Sequence, residues 1–162
     1  MTESFSVNVN SVKLRFASAH MATLGDELEP LHGHNYVVSC TVTGDLTDDD
    51  WVIDFSVIKN AVYDACKLLD HKFILQRNSS ILEIDENNEF WFIVHNQKEY
   101  KFPKNDVVAL DINNTTAENL AKWLFYSIKE AILTNNYSNI YEMSIEVEEM
   151  PGQSGIYKSK LK

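Results

Sequence analysis

Apolar and polar residues alternate through residues 5–19, with Phe5, Val7 and Val9 on one parity and Val12, Leu14 and Phe16 on the other. This predicts a strand, bulged or bent near Asn10-Ser11 where the parity changes. Residues 20–31 read as a loop rich in Gly, Asp, Glu and Pro. A second strand is expected from about His34 to Thr43, ended by Gly44-Asp45 and an acidic turn at 47–50. Helical spacing then takes over: Phe55, Val57, Ile58, Ala61, Val62, Ala65, Leu68 and Leu69 form one stripe, and Asp54 is placed to cap it. Asp70-His71-Lys72 breaks that period. Short strands are expected at 81–84, 90–94 and 100–102, with turns at 85–88 and 95–97. Thr115 or Thr116 can cap a second helix carrying Leu120, Trp123, Leu124, Ile128, Ala131 and Ile132. A last strand pair, 140–149 and 154–159, turns through Pro151-Gly152. The order predicts an α+β fold in one domain over 1–162: antiparallel hairpins covered by two helices.

The charge balance narrows the function. Fourteen Lys and Arg against 24 Asp and Glu leave a net charge of −10 across 162 residues. Such acidity disfavours wrapping a nucleic-acid backbone or lying on an anionic membrane, so neither partner is expected. No run of about 18 apolar residues offers a membrane span. The N-terminus lacks the basic start and apolar core of a secretory leader. Two cysteines, Cys40 and Cys66, are too few for a disulfide framework. A soluble, cytoplasmic chain is the expectation.

The candidate chemistry lies in the histidines. Three of the five, His20, His32 and His34, fall within fifteen residues. Side chains two apart on a strand share a face at about 6.5–7 Å spacing, so His32 and His34 can converge on one ion. Gly33 between them leaves room for a close approach. His20, ending the first strand, needs only a loop return to join them. Three neutral imidazoles with one open position suit a catalytic zinc ion, whereas a structural zinc takes four ligands, usually with cysteine. The plainer alternative, polar loop histidines that cluster by chance, stays open on spacing alone.

A family resemblance goes further. The segments Phe16-Ala17-Ser18-Ala19-His20, Pro30-Leu31-His32-Gly33-His34-Asn35-Tyr36, Val52-Ile53-Asp54-Phe55, Leu69-Asp70-His71-Lys72, Thr116-Ala117-Glu118-Asn119-Leu120-Ala121 and Val147-Glu148-Glu149 resemble successive signatures of the 6-pyruvoyltetrahydropterin synthase / 6-carboxytetrahydropterin synthase family. The match runs from about residue 12 to 158, and an insertion at about 81–105 resembles one in apicomplexan members. The resemblance implies the tunnelling fold: a four-stranded antiparallel sheet with two helices on one face. It also implies a homo-oligomer, a trimer or a dimer of trimers, with sites between subunits.

The substrate implied is 7,8-dihydroneopterin triphosphate, with zinc (Zn2+) held by His20, His32 and His34. Glu149 matches the carboxylate that anchors the pterin, though alone it reads as a solvated acid beside Glu146 and Glu148. Thr116 matches a pterin-contacting threonine and is equally a helix cap. Asp70 and His71 match an acid–base pair, though alone they read as a helix-terminus pair. The usual cysteine base before His-Gly-His is missing, and Cys40 and Cys66 cannot replace it. Glu29 stands where one branch of the family carries a glutamate, with Glu27 as its rival; that branch cleaves the side chain to 6-hydroxymethyl-7,8-dihydropterin, a folate precursor. A 6-pyruvoyl or 6-carboxy synthase is the enzymatic alternative, and a zinc- and pterin-binding protein without turnover is the alternative of another class. Lys13, Arg15, Lys72, Arg77, Lys158 and Lys160 are the candidates for holding the triphosphate. His95 is given no role, and Trp91 and Trp123 read as core or interface aromatics.

Overall fold

The computed structural model describes residues 4–161; residues 1–3, part of the segment read above for a leader, lie outside it. Four long antiparallel strands form the expected sheet: β1 (Phe5–His20), β4 (His32–Gly44), β10 (Ile140–Met150) and β11 (Gln153–Lys160). Between β1 and β4 the chain folds back through a minimal hairpin, β2 (Thr23–Leu24) and β3 (Glu27–Leu28). The β1–β4 register slips between Asn10 and Arg15, at the parity change visible in the sequence.

Helices α1 (Phe55–Leu69) and α2 (Ala117–Leu133) supply the second layer. Asp54 caps α1 as expected, its carboxylate accepting the Ser56 N–H at 2.7 Å, and Thr116 caps α2 through the Asn119 N–H. Each helix buries one stripe: Ile58, Ala61, Val62, Ala65 and Leu69 from α1, and Leu120, Leu124, Phe125, Ile128 and Ile132 from α2. These meet Phe16, Tyr36, Val38, Val42, Met143, Ile145 and Val147 of the sheet in one core. At about 25 cal/mol per Å² of apolar surface, this burial is the main force holding the layers together. Among the described residues no helix is long and apolar enough to cross a membrane.

Two short strands extend the expected sheet. β5 (Lys72–Gln76) runs parallel to β1, and β9 (Val107–Leu110) runs parallel to β5, giving the order β11-β10-β4-β1-β5-β9. Four- and five-residue apolar runs carry no distinguishing period, so the sequence pattern does not separate them from loop. The excursion between them forms its own antiparallel sheet of β6 (Glu83–Glu86), β7 (Phe90–His95) and β8 (Lys98–Pro103). Here β6 starts two residues later than the pattern suggests and carries Asp85 and Glu86 on an exposed edge. Its turn falls at Asn87, whose side chain accepts the N–H groups of Glu89 and Phe90. This small sheet closes a second core in which Trp91 and Ile93 meet Met21, Leu28, Phe73 and Leu75.

Strand β11 lies very close to the start of α2. A methyl group at Gly155 would come within 2.4 Å of the Glu118 amide nitrogen and 2.5 Å of the Ala117 carbonyl carbon, both backbone atoms. Gly155→Ala is therefore expected to lower the unfolding free energy by about 1–3 kcal/mol, read as a shifted urea midpoint. An unchanged midpoint would mean that strand and helix part without cost.

Candidate functional site

The β1–β4 register pairs His20 directly with His32, and Ser18 with His34. Directly opposed side chains in an antiparallel pair lie about 4.5–5.5 Å apart at Cβ, so the third imidazole arrives by strand pairing. Beyond the register slip, even-numbered positions of β1 face the helices, as do those of β4: Phe16, Ser18 and His20 from one, His32, His34 and Tyr36 from the other. The ligand nitrogens of the three histidines lie within 4.8 Å of one another. The approach at Gly33 is tight, since a methyl there would sit 2.9 Å from the Ser18 carbonyl oxygen.

Each ring's other nitrogen decides what it can do. His20 Nδ1–H donates to the Thr115 carbonyl (3.0 Å) and hydroxyl oxygen (3.1 Å), and that hydroxyl donates to Gln76 Oε1 at 3.0 Å. His32 Nδ1–H donates to the Pro30 carbonyl at 2.7 Å. With Nδ1 carrying the proton of a neutral ring, each Nε2 is a bare lone pair, yet the two stand 3.1 Å apart. Two acceptors at that distance repel unless a cation lies between them. Burial, then the neighbouring His32, holds the His20 imidazole below the ordinary histidine range and so favours the neutral, ligating form. His34 Nε2 is buried with no hydrogen-bond partner among the described residues, although Glu149 Oε1 lies 3.3 Å away out of line. An orphaned nitrogen beside two bare ones fits a metal ion, and outer acceptors such as the Thr115 and Pro30 carbonyls are the usual means of aiming ligating imidazoles.

These rings form one wall of a pocket of about 400 Å³, whose other walls include Glu29, Thr116, Glu118, Glu149, Gln153 and Ser154. Glu149 reaches it because it continues the inward face of Met143, Ile145 and Val147, at a bulge between Glu148 and Met150. Its Oε1 lies 3.5 Å from His20 Nε2 and accepts the Tyr36 hydroxyl at 3.3 Å. Burial, then the Glu149 charge, pushes the Tyr36 phenol well above its usual range, so it remains a donor. Glu146, by contrast, faces outward and bonds Ser39 and Ser154.

Glu29 stands at the pocket's edge with Oε2 4.0 Å from His32 Nε2. Glu27 does not line this pocket; it borders a separate hollow with His95 and Lys98. Neither cysteine reaches the site: Cys40 and Cys66 are free but buried, and burial pushes both thiols up to about 12. Sequence reasoning missed Thr115, Gln76, Tyr36 and Glu118. Of these only Tyr36 carried a signal, its parity with His34.

Asp70 and His71 are not brought into this pocket. They sit after α1, where Asp70 accepts the Ala17 N–H at 2.8 Å and His71 Nδ1 lies 2.9 Å from the Asp70 carboxylate. The Ala17 bond, chiefly, holds the Asp70 carboxyl below the usual range. His71 borders a hollow with Ala17, Ala19, Gly33 and Asn35, residues that alternate to the sheet's other face, and Ser18 and His34 line the same hollow. It also takes a left-handed backbone (φ 57°) at a helix end, where glycine is the default. The imidazole is exposed, with its Nδ1 engaged by the Asp70 carboxylate.

Comparison with known proteins places this arrangement. The family model for 6-pyruvoyl tetrahydropterin synthase matches residues 10–160. A Methanocaldococcus jannaschii protein assigned as a 6-carboxy-5,6,7,8-tetrahydropterin synthase is 34% identical over 149 residues, 91% of either chain. Among solved structures, the 6-pyruvoyl tetrahydropterin synthase of Plasmodium falciparum superposes with a TM-score of 0.92 at 33% identity, covering 98% of this chain and 99% of that one. The Plasmodium vivax 6-pyruvoyltetrahydropterin synthase, in a variant with a catalytic glutamate replaced by alanine, gives a TM-score of 0.93 at 32% identity with the same coverage.

The bare nitrogens make a direct prediction. Zn2+ at a hundredfold excess over its Kd is expected to add about 2.7 kcal/mol of stability, read as a chelator-reversible rise in Tm, and His34→Ala is expected to abolish that rise.

Proposed function

The chain belongs to the 6-pyruvoyl tetrahydropterin synthase family, and on that basis we propose that it is a zinc-dependent lyase converting 7,8-dihydroneopterin triphosphate to 6-hydroxymethyl-7,8-dihydropterin. The observation that carries this choice is the carboxylate of Glu29 at the edge of the histidine pocket, with both thiols buried elsewhere. The Plasmodium vivax relative, a 6-pyruvoyltetrahydropterin synthase in which a glutamate is described as a catalytic residue, supports a carboxylate in that role.

In this reading His20, His32 and His34 hold the zinc ion, which when bound would acidify the substrate's side-chain hydroxyls. Glu149 binds the pterin edge, a carboxylate facing the ring's amino and N–H donors in bidentate fashion. Thr116 adds a hydroxyl at the same wall. Glu29 accepts the proton of a side-chain hydroxyl. As that oxygen becomes the carbonyl of a departing two-carbon aldehyde that carries the triphosphate, the carbon–carbon bond joining it to the pterin-side carbon breaks and its electron pair passes into the ring's C=N unit. A proton then returns to the pterin-side carbon. Asp70 and His71 are suited to that return, because the Asp70 carboxylate fixes the imidazole's orientation. They act on the pocket of a second copy of this chain, in a trimer or a dimer of trimers. This accords with the hollow His71 shares with residues of the sheet's other face, and with the edges of β11 and β9, which pair with no further strand among the described residues.

A second reading, a 6-carboxy- or 6-pyruvoyltetrahydropterin synthase, is favoured by the assignment of the Methanocaldococcus jannaschii relative. Product mass after incubation of the zinc-loaded protein with 7,8-dihydroneopterin triphosphate distinguishes the two. 6-Hydroxymethyl-7,8-dihydropterin is expected, and a carboxy or pyruvoyl product would overturn the choice. Glu29→Ala is expected to slow turnover by about 10²–10⁴. The shared site gives a separate test. His71→Ala and His32→Ala, each inactive alone, are expected to regain part of the activity when unfolded together and reassembled, since a mixed oligomer contains intact sites. No recovery would place both groups in one chain's site.

A further inference from the structure

We propose that Asn114 is a positioning residue that holds the Glu29 carboxylate in place through the backbone of the 22–29 hairpin. The inference rests on the reading of Glu29 as the base.

The hairpin cannot hold itself. Its strands are two residues each, Thr23 pairing with Leu28 and Leu24 with Glu27, and even a longer isolated hairpin is marginal in water. The ladder bond that fixes Glu29 runs from its own N–H to the Ala22 carbonyl, at 3.0 Å. Everything therefore depends on what holds residues 22 and 23.

Asn114 does so from outside the hairpin. Its Oδ1 accepts the Thr23 N–H at 2.8 Å, and its Nδ2–H donates to the Thr23 carbonyl at 2.8 Å. A side-chain amide here does the work of a neighbouring strand, satisfying both backbone groups of one residue. The assignment of oxygen and nitrogen follows from the partners, since Thr23 offers one donor and one acceptor. Asn114 is in turn held: its carbonyl accepts Nδ2–H of Asn119 in the first turn of α2, at 3.1 Å. On the hairpin's other side Leu28 is buried with Met21, Trp91 and Ile93. One polar clamp and one apolar anchor thus fix the residue just before Glu29 and the residue paired with it.

The neighbouring residues sharpen the point. Thr115 orients His20, and Thr116 caps α2 and lines the pocket. Three consecutive residues therefore tie the base, a metal ligand and the substrate wall to one stretch of backbone. A catalytic group displaced by about 1 Å can lose about a hundredfold in rate, so the clamp controls kcat.

The test is a mutant cycle in the full-length, zinc-loaded protein with 7,8-dihydroneopterin triphosphate. Asn114→Ala is expected to lower kcat by about tenfold to a hundredfold with KM and zinc content unchanged. Asn114→Asp keeps the acceptor for the Thr23 N–H and sets a charge against the Thr23 carbonyl, so it is expected to lose kcat as well and to guard against a poorly folded alanine variant. Hydrogen exchange should show the Glu29 amide losing protection in both variants. The decisive comparison is the double variant. If Asn114 acts through Glu29, adding Asn114→Ala to Glu29→Ala costs nothing more. Multiplying losses, or a loss confined to KM, would overturn the proposal. Full turnover by Glu29→Ala alone would instead remove the reading on which the proposal rests.

Discussion

Two bare imidazole nitrogens stand 3.1 Å apart at the inner end of the sheet, an arrangement that repels in the free chain and rewards a cation. Much of the fold works to keep it. The β1–β4 ladder sets His20 against His32. Backbone carbonyls of Thr115 and Pro30 take the other N–H of each ring, so neither can turn its proton inward. Burial shields His20 from water and favours its neutral form. A protein that merely tolerated these histidines would let a ring flip or a water bridge them, at lower cost than a buried, unpartnered His34 nitrogen.

The pocket beyond that centre joins contributions from distant parts of the chain. The histidines come from the first pair of strands, Glu149 from the third long strand at a bulge, and Thr116 from a helix cap. Around the rim, the hairpin bearing Glu29 belongs to neither main layer and rests on the second core. Rigid strands thus carry the three histidines and Glu149, while the carboxylate proposed as base sits on a short element that must be held from outside. This division suits a reaction in which the bound ring stays still and a proton moves.

Much of this was legible because the signals were local. The helix stripes and caps, the β1 bulge, and the shared face of His32 and His34 all follow from spacing within a few residues. Glu149 came only through the family resemblance, since its own spacing reads as a solvated acid beside Glu146 and Glu148. What was not legible crosses long separations. Thr115 meets His20 across 95 residues and Asn114 meets Thr23 across 91, and nothing in the local pattern at 114–115 distinguishes those side chains from turn residues. Strands β5 and β9 escaped for a different reason: each is short and apolar, and its identity depends on a parallel neighbour elsewhere in the chain. The separation of Asp70-His71 from the pocket likewise depends on which side of a sheet a helix exit reaches.

The three adjacent contacts at 114–116 have a consequence for how such a chain can change through evolution. The excursion 77–106 carries a sheet that shares no ladder with the main one among the described residues, so residues can be gained or lost in its exposed turns without shifting the main sheet's register. Between β9 and α2 the opposite holds. Losing or gaining one residue there would hand each partner the wrong side chain at once, dislodging hairpin, imidazole and helix cap together. Substitutions can be sampled in that stretch one at a time, but changes of length cannot.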